Sequence, residues 1–295
     1  MYPTNHPPLH FQRALLLLLV SLALTLSCSA PVERPTGAAA DYQDAKDLFK
    51  QNHFDRALDF TEGLATAAPA TKFTQRAQVL RIVILAGQAK GYRTLVEAYS
   101  EGASQTKDQH CKAEDVRVRQ DNMQYGIRAV LGLAETAHQL LEGGKITKEV
   151  ILDAPYPSVE GPSEAADLVQ VRKGVLIDLD HQTSAANDSI NKGVEEVLAA
   201  AVAGDRSKAR NVLASGPVTI SGMDFLFFLA NQLLESSIIL DRKHDNDPEK
   251  LTMVCSEGFE VVKAAENLLK ETPNEDKAKQ VKELEITIKT AIKNA

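Results

Sequence analysis

The sequence predicts an all-α protein of antiparallel helix pairs, and three observations carry that expectation. Apolar residues recur at spacings of three and four rather than two, the mark of one buried helix face. Ala and Leu are abundant and Trp is absent, as suits helices with close, small-residue contacts. Pro, Asp and Gly punctuate the apolar stretches where helices should start and stop.

The first element is an apolar run, Ala14 to Leu26, interrupted only by Ser21 and Thr25 and preceded by Arg13. As a helix it would span about 20 Å, short of the ~30 Å hydrocarbon core a permanent span must cross. It therefore reads as a removed export signal. Its end, Leu24-Thr25-Leu26-Ser27-Cys28, resembles the lipobox of bacterial lipoproteins. That resemblance implies that residues 1–27 are cleaved and that Cys28 becomes the lipidated first residue. An ordinary secretory signal cut near Ser27 or Ala30 is the alternative. Ser29, where the family's inner-membrane proteins often carry Asp, implies the outer membrane, facing the periplasm.

Residues 28–40 are rich in Pro, Ala and Gly without hydrophobic periodicity and read as a tether. Of 33 Lys and Arg only Arg13 precedes Cys28, and all 40 Asp and Glu follow it, so a chain beginning at Cys28 carries a formal charge of −8. That balance argues against nucleic acid and against a basic membrane-adsorbing face.

Residues 41–144 form the N-terminal helical region. The segment Leu48-Phe49-Lys50-Gln51-Asn52-His53-Phe54-Asp55-Arg56-Ala57-Leu58, continuing to Pro69, resembles a tetratricopeptide repeat. A first helix ends in large apolar residues, a polar turn follows, and Phe54 precedes a small Ala57 by three. Gly91-Tyr92 and Ala203-Gly204-Asp205-Arg206-Ser207-Lys208-Ala209 are weaker copies of the turn. The resemblance implies a tetratricopeptide-like α-solenoid, with a helical bundle of unspecified family as the alternative. Further along, Met123, Ile127, Val130, Leu131, Ala134, Ala137, Leu140 and Leu141 make one helix face that Gly143-Gly144 stops.

Residues 145–162 hold Pro155, Pro157, Gly161 and Pro162 and read as a linker between that region and residues 163–295. In the C-terminal region Val171 to Asp180 is expected to be helical, its end being strand-like in composition. Asp224 to Asp241 is apolar nearly all round, which suits a buried helix, and polar Asn231, Gln232, Glu235, Ser236 and Ser237 interrupt it too often for a membrane span. Asp247-Pro248-Glu249 caps a helix start, and Thr272-Pro273-Asn274 separates the last two helices. The final stripe, Val281, Leu284, Ile288, Ala291 and Ile292, is narrow and backed by Lys and Glu, as a solvating end helix requires.

Function is expected to follow from geometry rather than chemistry. Resemblance to the repeat family implies a scaffold that holds a protein partner in the cell envelope. Tyr42, Lys50, Arg56, Tyr92 and Arg93 are the candidate partner contacts, although most aromatics of such a repeat belong to its core. The alternative is a transport accessory that binds a small molecule or lipid in an apolar pocket near Phe225, Phe228 and Leu229. Cys111 and Cys255 could pair in an oxidising periplasm or remain lone core residues near helix starts.

The chain has no GxSxG, HExxH, phosphate-loop or dinucleotide motif, so no catalytic residue, cofactor or enzyme activity is expected. No metal site is expected either. His110-Cys111 has no second ligand at useful spacing, and the acidic loop of Asp241, His244, Asp245, Asp247 and Glu249 lacks the glycine and terminal glutamate of a calcium loop.

Overall fold

The computed structural model describes residues 36–143, 146, 149–157, 166–241 and 243–294. The apolar run, Cys28, most of the tether, Gly144, Gly161 and Pro162 lie outside the described residues. The described chain is all-α, with one two-stranded antiparallel sheet among its helices.

The first two helices form the hairpin whose pattern stood out in the sequence. Helix α1 (Ala38–Lys50) buries Tyr42, Ala45, Leu48 and Phe49, a helical spacing of three and four. Its first three residues, Ala38 to Ala40, fall within the stretch read as tether. Asn52 turns the chain with φ 64°, and the His53 N–H donates to the Leu48 carbonyl at 2.9 Å, which satisfies an end of α1 that lacks intrahelical partners. Helix α2 (Phe54–Ala65) then packs back. Phe54 meets Phe49 edge-on at 5.3 Å between ring centroids, and Ala57 is fully buried.

Helices α3 (Thr74–Gln105) and α4 (Gln109–Glu142) are much longer, 32 and 34 residues, and pair along their length. At about 1.5 Å per residue each runs on the order of 50 Å. Asp108 caps α4, accepting the N–H groups of His110 and Cys111 at 2.7 and 3.1 Å. Of the expected α4 stripe, Met123, Ile127, Val130, Ala134, Ala137 and Leu140 are buried and Leu131 and Leu141 half-buried, and the helix ends at Glu142 before Gly143.

The second expected turn, Gly91-Tyr92, is not a turn. Both residues lie inside α3, and the glycine serves a helix crossing instead. A Cβ on Gly91 would lie 2.6 Å from Ile190 Cα, and one on Gly87 equally close to Val194 Cα. Both contacts are with α6 (Leu179–Ala201), which bares Gly193 at the same crossing. By contrast, the third expected turn is present between α6 and α7 (Arg206–Ala214). Ala203 takes φ 50°, Asp205 caps α7 and Ala209 is fully buried.

The segment read as a linker carries strand β1 (Glu149–Leu152), paired antiparallel with β2 (Val218–Ser221) in the register Glu149↔Ser221 to Leu152↔Val218. Val150 and Leu152 are buried, so this segment is packed rather than a solvated spacer. Val171 to Asp180 is also corrected. Helix α5 (Ala166–Arg172) stops early, Gly174 has φ 75°, and the next residues run to Asp178, which caps α6 by accepting the His181 N–H at 3.0 Å.

Helix α8 (Gly222–Ser237) continues through one 3₁₀ turn, Ile238–Leu240, into a loop closed by α9 (Pro248–Glu271) and α10 (Glu275–Asn294). Asp247 caps α9 before Pro248, as read from the sequence. Gly222–Leu240 is the one described stretch long and apolar enough to cross a membrane, yet most of it is buried inside the protein, as a core helix would be. The main core draws on side chains from Tyr42 to Ile288. A smaller cluster of Leu95, Ala98, Tyr99, Val118, Leu168 and Val171 seats α5 against the far end of α3.

Candidate functional site

Of the five expected partner contacts, Tyr42 belongs to the core instead. It is 2% exposed, and its hydroxyl donates to the Asp153 carbonyl at 3.2 Å, locking α1 to the segment after β1. Burial pushes its phenol well above the ordinary range. Asp153 also takes Lys46 at 3.1 Å and Arg76 at 3.5 Å, so this corner is a structural clamp. Lys50, at the end of α1, and Arg56, in the first turn of α2, are both exposed.

Tyr92 and Arg93 belong to an exposed face where α3, α4 and α8 meet. The Tyr92 ring stacks on Tyr125 of α4, with centroids 5.5 Å apart and planes 25° from parallel. Tyr92 is half-buried, and burial first, then the nearby Asp55 carboxylate, push its phenol up to about 12. Tyr125 remains 49% exposed, with the Arg128 guanidinium 5.7 Å from its ring centre. Arg93 Nη1 donates to the Glu235 carbonyl at 3.0 Å, tying α3 to the end of α8. Lys90, one turn earlier, reaches Glu196 at 2.9 Å and Glu235 at 3.8 Å.

The start of α2 reaches this face as well. Asp55, next to Arg56, accepts from Gln88 Nε2 at 2.7 Å, one turn before Tyr92. The face thus collects Tyr92, Arg93 and the neighbourhood of Arg56. Tyr125 and Arg128 were missed in the sequence. Their signal was an aromatic and a cation three residues apart, off the apolar stripe of an amphipathic helix.

The expected pocket residues are core. Phe225 and Leu229 are almost fully buried, Phe228 is 7% exposed, and the two phenyl rings pack at 6.0 Å. A cavity of about 370 Å³ opens instead at the far end of α8, between the 3₁₀ turn, the start of α9 and the end of α10. Leu234, Ile238, Leu240, Leu251 and Ala291 supply its apolar walls. The 3₁₀ turn separates it from the aromatic face. Ile238 and Leu240 face the cavity, whereas Ile239 lies where a side chain on Gly126, beside Tyr92, would have to go.

The two described cysteines are unpaired: Cys111 is half-buried and Cys255 buried, with its thiol 3.9 Å from the Ser237 hydroxyl. The reason is distance. Glu257, two residues from Cys255, meets His138 of α4 at 3.3 Å. His138 lies 27 residues along the same helix from Cys111, about 40 Å at 1.5 Å per residue, whereas a disulfide needs Cα atoms within about 7 Å.

Other polar clusters of the described chain have local tasks. Asp178 pairs with His181 at 2.7 Å and caps α6, and the Asp178 carboxyl is held below its usual range by these bonds. Asp241 pairs with His244 at 2.7 Å, and Asp247 holds Lys250 at 2.6 Å. No family model, no curated protein and no solved structure matches this chain.

Proposed function

We propose that this chain is a lipid-anchored envelope scaffold that holds a protein partner against the Tyr92–Tyr125 face. The observation that carries this is the half-exposed Tyr125 ring, stacked on Tyr92 and flanked by Arg128. Tyrosine and arginine are the residue types on which interface energy concentrates, and a ring already held by stacking loses little freedom on binding. The Lys90, Arg93, Glu196 and Glu235 network would form the polar rim of such an interface. The hairpin of α1 and α2, with its resemblance to a tetratricopeptide repeat, supports the same reading.

The expected mechanism is tethering plus recognition. A lipid on Cys28 would confine the domain to a membrane surface and raise its effective concentration toward a partner there. The test is a quantitative pull-down from native membranes with wild-type protein and Tyr125→Ala. Retention of the same partner at full yield by the variant would remove this reading.

A second reading rests on the cavity at the end of α8. Its volume lies in the range of small-molecule sites, roughly 300–1,000 Å³, which favours a carrier or transport accessory for a small apolar molecule. Recovery of a bound metabolite from the native protein would support it.

A further inference from the structure

The cavity at the end of α8 joins apolar walls to an acidic rim, and we infer that it takes a single-chain amphipath with a cationic head. This rests on the second reading above, that the cavity holds a small apolar molecule. The walls come from four elements, with Leu234 on α8, Leu240 on the 3₁₀ turn, Leu251 on α9 and Ala291 on α10. Leu240 and Leu251 are also part of the main core, which fixes their positions.

The loop that forms one side is tied down by its backbone. The Asp247 N–H donates to the Leu240 carbonyl at 3.2 Å, that of Asp245 to Ile239 at 3.3 Å and that of Asn246 to Asp241 at 2.9 Å. Asp247 further caps α9 and pairs with Lys250. A cavity walled this way is held open, so it suits a preformed site.

The polar lining sets the head group. Glu235 and Asp241 are the charged residues lining the cavity, with Ser237, Asn246 and Thr287 neutral. Among the described residues, Lys90, Arg93 and the His244 imidazole reach this rim, and all three are engaged. Lys90 sits closer to Glu196, at 2.9 Å, than to Glu235, at 3.8 Å, and Arg93 bonds the Glu235 carbonyl. The bonds that Asp241 makes to His244 and to the N–H groups of Lys243 and His244 all fall on Oδ1. A carboxylate head would meet two carboxylates, whereas an ammonium would meet two acceptors.

The test is calorimetric titration of the purified protein, in low salt and below micelle formation, with decyltrimethylammonium, decanol and decanoate. The expected result is one saturable site for the ammonium, at least about tenfold tighter than for decanoate. Glu235→Lys, a change at an exposed side chain, should remove that preference while decanol binding stays. Ala291→Phe should fill the cavity and abolish all binding, with helicity by circular dichroism confirming the fold. Saturable decanol binding without ammonium preference would overturn the head-group assignment and keep the cavity reading. Absence of binding by all three would overturn both.

Discussion

Gly91 of α3 lies against Ile190 of α6 so closely that a Cβ on the glycine would sit 2.6 Å from the Ile190 Cα. Real side chains do not approach that near, so the two helices touch through backbone. Gly87 and Gly193 extend the contact, so this crossing joins the central helix to the C-terminal half through backbone.

Gly91→Ala should therefore destabilise the protein by about 1–3 kcal/mol, because overpacking outweighs the ~1 kcal/mol that Ala gains over Gly in a helix. Gly63 in α2 has no neighbour within 4 Å of where its Cβ would stand. Gly63→Ala should accordingly stabilise by up to about 1 kcal/mol. Urea denaturation of both variants checks the pair, and equal shifts of the same sign would contradict the crossing.

Asp153 should behave as a clamp. It faces Lys46 and Arg76 with a side chain only about 10% exposed. Asp153→Ala leaves both partly exposed cations without their carboxylate and should cost about 1–2 kcal/mol. Tyr42→Phe removes only the hydroxyl that bonds the Asp153 carbonyl, and should cost about 1 kcal/mol. Thermal melts of the two variants give the comparison.

The elements that could be read in the sequence are those whose partners are close by or whose faces are periodic. The α4 and α10 stripes, the Asp247-Pro248 start and the Phe49, Phe54 and Ala57 hairpin all meet that condition. Gly91 did not, because a glycine in a turn and a glycine at a crossing look alike until α6, some hundred residues on, is placed. Strand β1 was hidden for the same reason, since its partner β2 comes only after three intervening helices. The Tyr92–Tyr125 stack and the cavity each combine side chains from separate elements, so neither has a local pattern. Tyr42 was misread because an aromatic in a helix pair serves core and surface alike.

Asp115 gives a pH dependence with a definite sign. It is 2% exposed beside the small core of α5, and burial first, then Glu114, push its carboxyl up to about 6 from 3.8. The folded state therefore holds this proton where the unfolded chain has lost it. Its contribution to stability is greatest below pH 4, falls as pH rises toward about 6, and is flat above. Discounted for solvent screening, the loss is on the order of 1–2 kcal/mol. Asp115→Asn should stabilise the protein at pH 7–8 and approach wild type at pH 4, as read from denaturation midpoints across that range. A difference that does not change with pH would contradict the assignment.

The two thiols should differ in access. Cys111 stands in the first turn of α4 and Cys255 is buried against Ser237. Alkylation of the native protein should modify Cys111 well before Cys255, and added reductant should leave the melting temperature unchanged. A lower melting temperature under reductant would reveal a bond that the fold does not make.

The proposed partner face is tested most directly by a photo-crosslinking residue placed at Tyr125 in the full chain expressed in cells, with the same residue at Ile286 on α10 as control. Ile286 is 64% exposed and belongs to the solvating end helix. One dominant crosslinked protein is expected from position 125, lost when Arg128 is changed to Glu, and none from position 286. Equal crosslinking from both positions, or none from position 125 with the protein folded in the cells, would contradict the proposed face.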